Sequence, residues 1–412
     1  MLSRTAAFVG MSGALLAFFI AAGAPTPIFP LYEHDWGFTP ATLTFAFGVY
    51  AIALIAALLV FGSLSDYVGR RPLLISSLAV ELAAMVIFLV APSVTWLIVG
   101  RILQGLATGV ASATFGAAVV ELAPERRKKL GAVMTSLATT AGLGLGALFA
   151  GVVSLAIPDA AALTVWTVLV VLMAVGTVLA VLTPETSTRR PGALASLLPR
   201  ISVPASARRL FATTVPTIIA TFLTTGLFLG LLPVILGTVS GEPDPIVSGG
   251  LNFVMFAVAT AAAGFTSAVS PHVLRVAGGL ALSLAAILLL GSLAADAMPL
   301  LWVAAVVAGA GSGSALSGGT RGLVPQVEPH ERAGMFAAFF AVAYVTLAGA
   351  IIGGGLLVGL VGAAPAASGY AILLGIVALA AAALSSGRLA RRRHAMAPAT
   401  APVAILPVAE RV

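Results

Sequence analysis

The chain has 412 residues, of which 60% are hydrophobic and only 8% charged, where soluble domains carry about 25% charged residues; its mean hydropathy is +1.12. That composition excludes a water-soluble fold. The formal charge of +7 is read as contact with anionic lipid at a membrane surface, not as nucleic-acid binding. Zero cysteines exclude disulfides, cysteine-ligated zinc and iron–sulfur clusters, and the histidines His34, His272, His330 and His394 show no metal-binding spacing. No metal and no cofactor is expected.

A bilayer core about 30 Å thick needs roughly 20 apolar residues per helix, and twelve such windows recur along the chain. They cover 5–27, 41–61, 73–91, 94–121, 131–156 and 161–182, then 211–237, 247–269, 277–294, 299–321, 334–361 and 368–386. The runs are continuous, with scattered Gly and Pro, and lack the alternation of a membrane barrel. The first window, with Arg4 before it and Ala21-Ala22-Gly23-Ala24 near its end, also resembles a secretory signal. Its apolar stretch is longer than the roughly 7–15 residues of a signal core, so it is read as the first membrane helix.

Between the second and third windows lies a polar island, Gly62-Ser-Leu-Ser-Asp66-Tyr67-Val-Gly69-Arg70-Arg71-Pro72. The third window contains Glu81, the carboxylate placed deepest in an apolar span, and the fourth contains Arg101, read as its sole intramembrane base. Intramembrane charges are expensive and by default functional or paired. In a hairpin turning near Pro92 and Ser93, the depths of Glu81 and Arg101 differ by only about 5 Å at 1.5 Å per residue. The two are expected to interact, with Glu81 as the protonatable group, burial favouring its neutral form and the arginine its charged form. Arg101, Gln104, Thr108 and Ser112 recur at helical intervals as one polar stripe.

In the second half, Thr217, Thr221 and Thr224 form a milder stripe, and Ser312, Ser314 and Ser317 stand among glycines. Thr217, Thr221, Thr224 and Ser314 are candidates for lining a cavity, together with Asn252; hydroxyls bonded back to their own helix are the commoner situation.

The stretch Thr183–Leu210, with Pro184, Pro191, Pro199 and Pro204, reads as a linker between halves. Sliding one half over the other by about 205 residues places Ala123-Pro124-Glu125-Arg126-Arg127 over Glu328-Pro329-His330-Glu331-Arg332, and Arg70 over Arg275. The organisation expected is a bundle at 1–182, a linker at 183–210, a second bundle at 211–387 and a basic tail at 388–412. The fold class is all-α membrane protein, with twelve transmembrane helices in two six-helix bundles related by an axis along the membrane normal.

Twenty of the 21 Lys and Arg fall in connections on one side, from Arg4, Arg70 and Arg71 through Arg126–Lys129, the linker and Arg275, Arg321 and Arg332 to the tail, whereas the opposite loops hold Glu33, Asp35, Asp159, Glu242, Asp244 and Asp296. Basic residues stay cytoplasmic. Both termini are therefore expected in the cytoplasm of a cell whose Ala-rich, Lys-poor composition suggests a GC-rich bacterium, the protein lying in its inner membrane.

The polar island resembles the signature loop of the major facilitator superfamily, G-x-L-a-D-[RK]-x-G-[RK]-[RK], matched by Gly62, Leu64, Asp66, Gly69, Arg70 and Arg71. Tyr67 departs from it, standing where a basic residue is usual. Arg101-Ile-Leu-Gln104-Gly105-Leu-Ala-Thr108-Gly109 resembles the family's R-x-x-Q-G-x-x-x-G segment. The resemblance covers essentially the full chain. It implies that Asp66 pairs with the arginine of its loop and faces the helix 11 N-terminus, latching a gate, and that the fourth helix lines a central cavity. Gly62 would let helix 2 approach a neighbour, and Gly69 would permit a tight turn. The exporter-type glycine pattern of helix 5 is partly present as Gly142, Gly144, Gly146 and Gly151, without its Gly-Pro pair.

The expected function is secondary active transport of a small organic or drug-like solute by alternating access, with proton-coupled export favoured. Uptake or facilitated passage of a sugar or organic anion is the alternative. No Gly-x-x-x-x-Gly-Lys-Ser/Thr segment occurs to bind ATP, and a membrane enzyme or sensor would need a catalytic set that the few intramembrane charges do not supply. The expected partners are a small molecule, protons and the bilayer, with the chain acting as a monomer and binding no nucleic acid.

Overall fold

The computed structural model describes residues 1–199, 201–240, 244–328 and 330–395, without the side chains of 127, 240 and 387–395. Twelve helices among them are long and apolar enough to cross a membrane: α1 (Arg4–Trp36), α2 (Pro40–Phe61), α3 (Arg70–Val90), α4 (Val94–Leu122), α5 (Lys128–Ala156), α6 (Pro158–Leu182), α7 (Ala205–Val239), α8 (Pro245–Ala268), α9 (Pro271–Ala295), α10 (Met298–Gln326), α11 (Arg332–Val361) and α12 (Ala363–Ser386). They match the twelve expected windows one for one. The protein is a multi-pass membrane protein whose connections alternate between a basic face, carrying the chain's first helix start and the 183–204 linker, and an acidic face.

Four boundaries differ from expectation by more than five residues. α1 continues to Trp36 because Pro25 and Pro27 sit in the first turn of a restarted helix, where proline removes no needed amide; Glu33 and Asp35 therefore end a helix instead of lying in a loop. α7 begins at Ala205, taking Arg208 and Arg209 out of the linker. α9 begins at Pro271, capped by the Ser270 hydroxyl, and so carries Arg275 within the span at 4% exposure; Arg101 is not the sole buried base. The last helix runs on to Ala395, so the tail expected from 388 starts as helix. Its residues 396–412, Arg411 included, lie outside the described set.

Glycine sets the distances inside and between the bundles. α4 seats on α2 through Gly105 and Gly109: a Cβ there would fall 2.8 Å from Ala53 Cβ and 2.7 Å from Ala57 Cβ. This is the close backbone approach that small-xxx-small spacing permits in membranes. α5 uses two faces, Gly142 and Gly146 against α1, and Gly144 and Gly151 against α8 of the other bundle. On the opposite diagonal, Gly48 of α2 meets Ile352 of α11 and Gly355 of α11 meets Thr44. These interbundle contacts run from the middle of the helices to their acidic ends, with Leu347, Ala348 and Ile351 of α11 buried in the core of the first bundle. The seam closes the acidic face.

Candidate functional site

Glu81, Arg101 and Gln104 meet inside the first bundle, with exposures of 0%, 4% and 0%. They form a chain, not an ion pair. Gln104 Nε2 donates to Glu81 Oε1 at 2.9 Å and to the Ala21 carbonyl of α1 at 3.1 Å, while Gln104 Oε1 accepts from Arg101 at 2.5 Å. The carboxamide can do both because it carries donors and an acceptor. Arg101 Nε also donates to the Ala46 carbonyl at 3.3 Å, and its guanidinium lies 4.2 Å from the Tyr50 ring centroid and 5.5 Å from that of Phe47. The arginine thus turns inward onto α2, desolvated and held by cation–π contact. Glu81 Oε2 is buried without a hydrogen-bond partner, a costly state for a carboxylate.

The rest of the expected stripe divides. Thr108 and Ser112 donate to carbonyls one turn back in α4, Gln104 O and Thr108 O, both at 2.7 Å. Thr221 and Thr224 do the same in α7. These four hydroxyls serve their own helices. Thr217 Oγ1, Ser248 Oγ, Asn252 Oδ1 and Ser312 Oγ are instead buried with no partner, and Ser314 is half-buried. Thr217 and Thr221 line a shallow crevice with Thr214, Gly319 and Phe339.

At the basic face Asp66 pairs with Arg70 at 2.5 Å, and Arg70 also reaches Glu121 of α4 at 3.2 Å. Glu121 Oε2 accepts from Thr186 at 2.5 Å, and the Glu121 carbonyl accepts from Arg4 at 2.6 Å. Gly69 takes φ +101°, as the tight turn requires, and a Cβ there would strike the Glu185 carboxylate. That carboxylate accepts from the Arg70 and Arg71 amides at 2.8 and 3.2 Å, capping the start of α3 from the linker. The Arg71 side chain turns to the Val181 carbonyl of α6. Two expectations are corrected. Among the described residues Asp66, its side chain 55% exposed, makes no bond to the α11 N-terminus; its ion pair is with Arg70 of the same polar island. Gly62 spares its own helix, where a Cβ would meet the Leu58 carbonyl, and not a neighbour. Nearby, a hydrogen bond from Lys128 holds the exposed Glu125 carboxyl below its usual range. Among the described residues, no group of three or more His, Asp or Glu gathers as a metal site.

The model of the family described as Major Facilitator Superfamily matches residues 11–353. The chain belongs to that superfamily. It is 34% identical over 146 residues to the inner membrane transport protein YajR of Escherichia coli strain K12, and 32% identical over 99 residues to the multidrug resistance protein MdtL of Escherichia coli. These stretches cover 32% and 24% of this chain and only 32% and 25% of those relatives. Among solved structures, the human organic anion transporter MFSD10 (TETRAN) superposes with TM-score 0.66 at 15% identity, covering 92% of this chain and all of that one. The nucleoside transporter NupG superposes with TM-score 0.67 at 11% identity, covering 93% and 99%. A major facilitator protein is a transporter and not an enzyme.

Sequence reading missed Tyr50, Glu121 and Glu185 of this facilitator's polar networks. Glu121 carried a signal, being an acid at the end of an apolar span beside the Pro124 loop. Tyr50 and Glu185 carried none, since nothing in their neighbourhoods distinguishes them from packing and linker residues.

Proposed function

We propose that this protein is a proton-coupled secondary transporter that exports a small organic or drug-like solute across the bacterial inner membrane, with both termini cytoplasmic. The observation that carries the reading is Glu81: a carboxylate wholly buried, bonded through Gln104 to Arg101, with one oxygen left free for a proton. Protonation removes the negative charge from the cluster, so the Arg101–Gln104 arm is held differently in the two states, and solute binding competes with the proton. The two bundles rock about a midplane site. The interbundle seam seals the acidic face, so on this reading a solute for export loads from the basic, cytoplasmic side. Similarity to a relative named for multidrug resistance supports the direction.

A second reading, uptake or facilitated passage of a sugar or organic anion, is favoured by the unpartnered Thr217, Ser312 and Asn252 groups of the second bundle, which suit a hydroxylated solute. Everted vesicles with an acidified lumen separate the two. Export predicts that some compound of a drug-like panel collapses the pH gradient through the wild type and not through Glu81→Gln. No response across the panel, with solute flux seen independently, selects the second reading.

A further inference from the structure

Two proline-broken helices meet at the acidic seam. In α1 the helix breaks at Ala24 and restarts at Pro25, whose missing N–H would have served the Ala21 carbonyl four residues earlier. Gln104 Nε2 supplies the donor instead, at 3.1 Å. In α7 a π turn runs over Leu227–Leu231, and Pro233 likewise offers no amide to the Leu229 carbonyl. Its donor is Thr26 Oγ1 of α1, at 3.1 Å and across the bundle interface. Thr26 is 1% exposed and lies five residues beyond Ala21 on the same broken helix. The two carbonyls vacated by Pro25 and Pro233 are therefore each served by a side chain from another helix, one within the first bundle and one between bundles.

We propose that Thr26 is the latch of the acidic-face gate and that Gln104 is the positioning residue that sets it. Parting the bundles strips the Leu229 carbonyl of its side-chain donor, and Pro233 leaves it without the regular helical amide, so the acidic face stays shut until water reaches that carbonyl. Gln104 divides one amide group between Glu81 Oε1 and the Ala21 carbonyl. A change in the hydrogen bond that Glu81 accepts alters the hold on the α1 break, and through it the aim of Thr26. The latch stands independently of the solute or ion carried; the part played by Gln104 rests on the coupling role of Glu81 proposed above.

The absence of native cysteines allows a direct test without substrate or gradient. A Ser248→Cys reporter, buried just below the acidic end of α8, is labelled with a membrane-impermeant maleimide in right-side-out and everted vesicles. Thr26→Val is expected to raise the labelling rate from the acidic face about fivefold or more, and Thr26→Ser, which keeps the hydroxyl, to restore the parent rate. Gln104→Met is expected to raise it as well, and the double variant to exceed the larger single effect by little, because both act on one segment. Each variant is first required to elute as a monodisperse species. An unchanged rate in Thr26→Val, or a serine variant as open as the valine one, overturns the latch; effects that multiply in full overturn the link to Gln104. If Gln104→Met fails to fold, the Thr26 pair still decides the latch.

Discussion

Arg101 shows what the membrane interior asks of a cation. Its head group has two protein acceptors, the Ala46 carbonyl and Gln104 Oε1, and two aromatic faces, Tyr50 and Phe47. A lysine has a point charge and no planar fork, so it can keep at most part of that set. Arg101→Lys is therefore expected to fold yet lower solute flux about tenfold or more, a loss of roughly 1.4 kcal/mol in effective barrier; initial rates in proteoliposomes at matched protein density check this, and wild-type rates would remove Arg101 from the mechanism. Glu81, Arg101 and Gln104 were legible from rarity, since ionisable groups in apolar spans stand out. The linkage between them was not. Two charges at similar depth suggested direct contact, whereas a carboxamide reaching from α4 to α3 and back to α1 is decided by rotamers that hydropathy does not encode.

At the scale of helices, the sequence shows where the apolar runs lie far better than how they end. Three of the four ends that moved are those where proline or a polar cap extends a helix past its apolar stretch, at Pro25, Pro204 and Ser270. The helix 5 glycines, which match part of an exporter-type pattern, divide in the structure between α1 and α8. The α2–α4 contact is a demanding one, because Gly109 faces the Leu54 carbonyl and Ala57 across the interface. Gly109→Leu is expected to destabilise the protein by about 1–3 kcal/mol, the usual cost of overpacking. A thermal unfolding midpoint in detergent that matched wild type would mean the helices can separate there at no cost. The linker was read as a tether, but Glu185 and Thr186 bind it to α3 and α4, a link carried by single side chains within a polar, proline-rich stretch.

For the whole molecule, the repeat of about 205 residues and the placement of basic residues gave the two-bundle plan, and the structure adds which face is shut. The acidic seam is made of glycines and aliphatic side chains on both diagonals, with Thr26 as a polar bond across it; such a surface parts and reseals without stranding charge. On the basic face Asp66–Arg70–Glu121 pair within the first bundle and Glu328–His330 within the second. Conformational state was not legible in the sequence, since one set of residues must serve both states.

The central claim is that Glu81 couples the proton to the solute. The most direct measurement compares wild type and Glu81→Gln in proteoliposomes for two activities: solute exchange at equal pH, and solute accumulation driven by an imposed pH gradient. Glutamine keeps an acceptor for Gln104 but carries no titratable proton, so exchange should persist while gradient-driven accumulation falls to the level of passive equilibration. Accumulation as steep in Glu81→Gln as in the wild type would contradict the account.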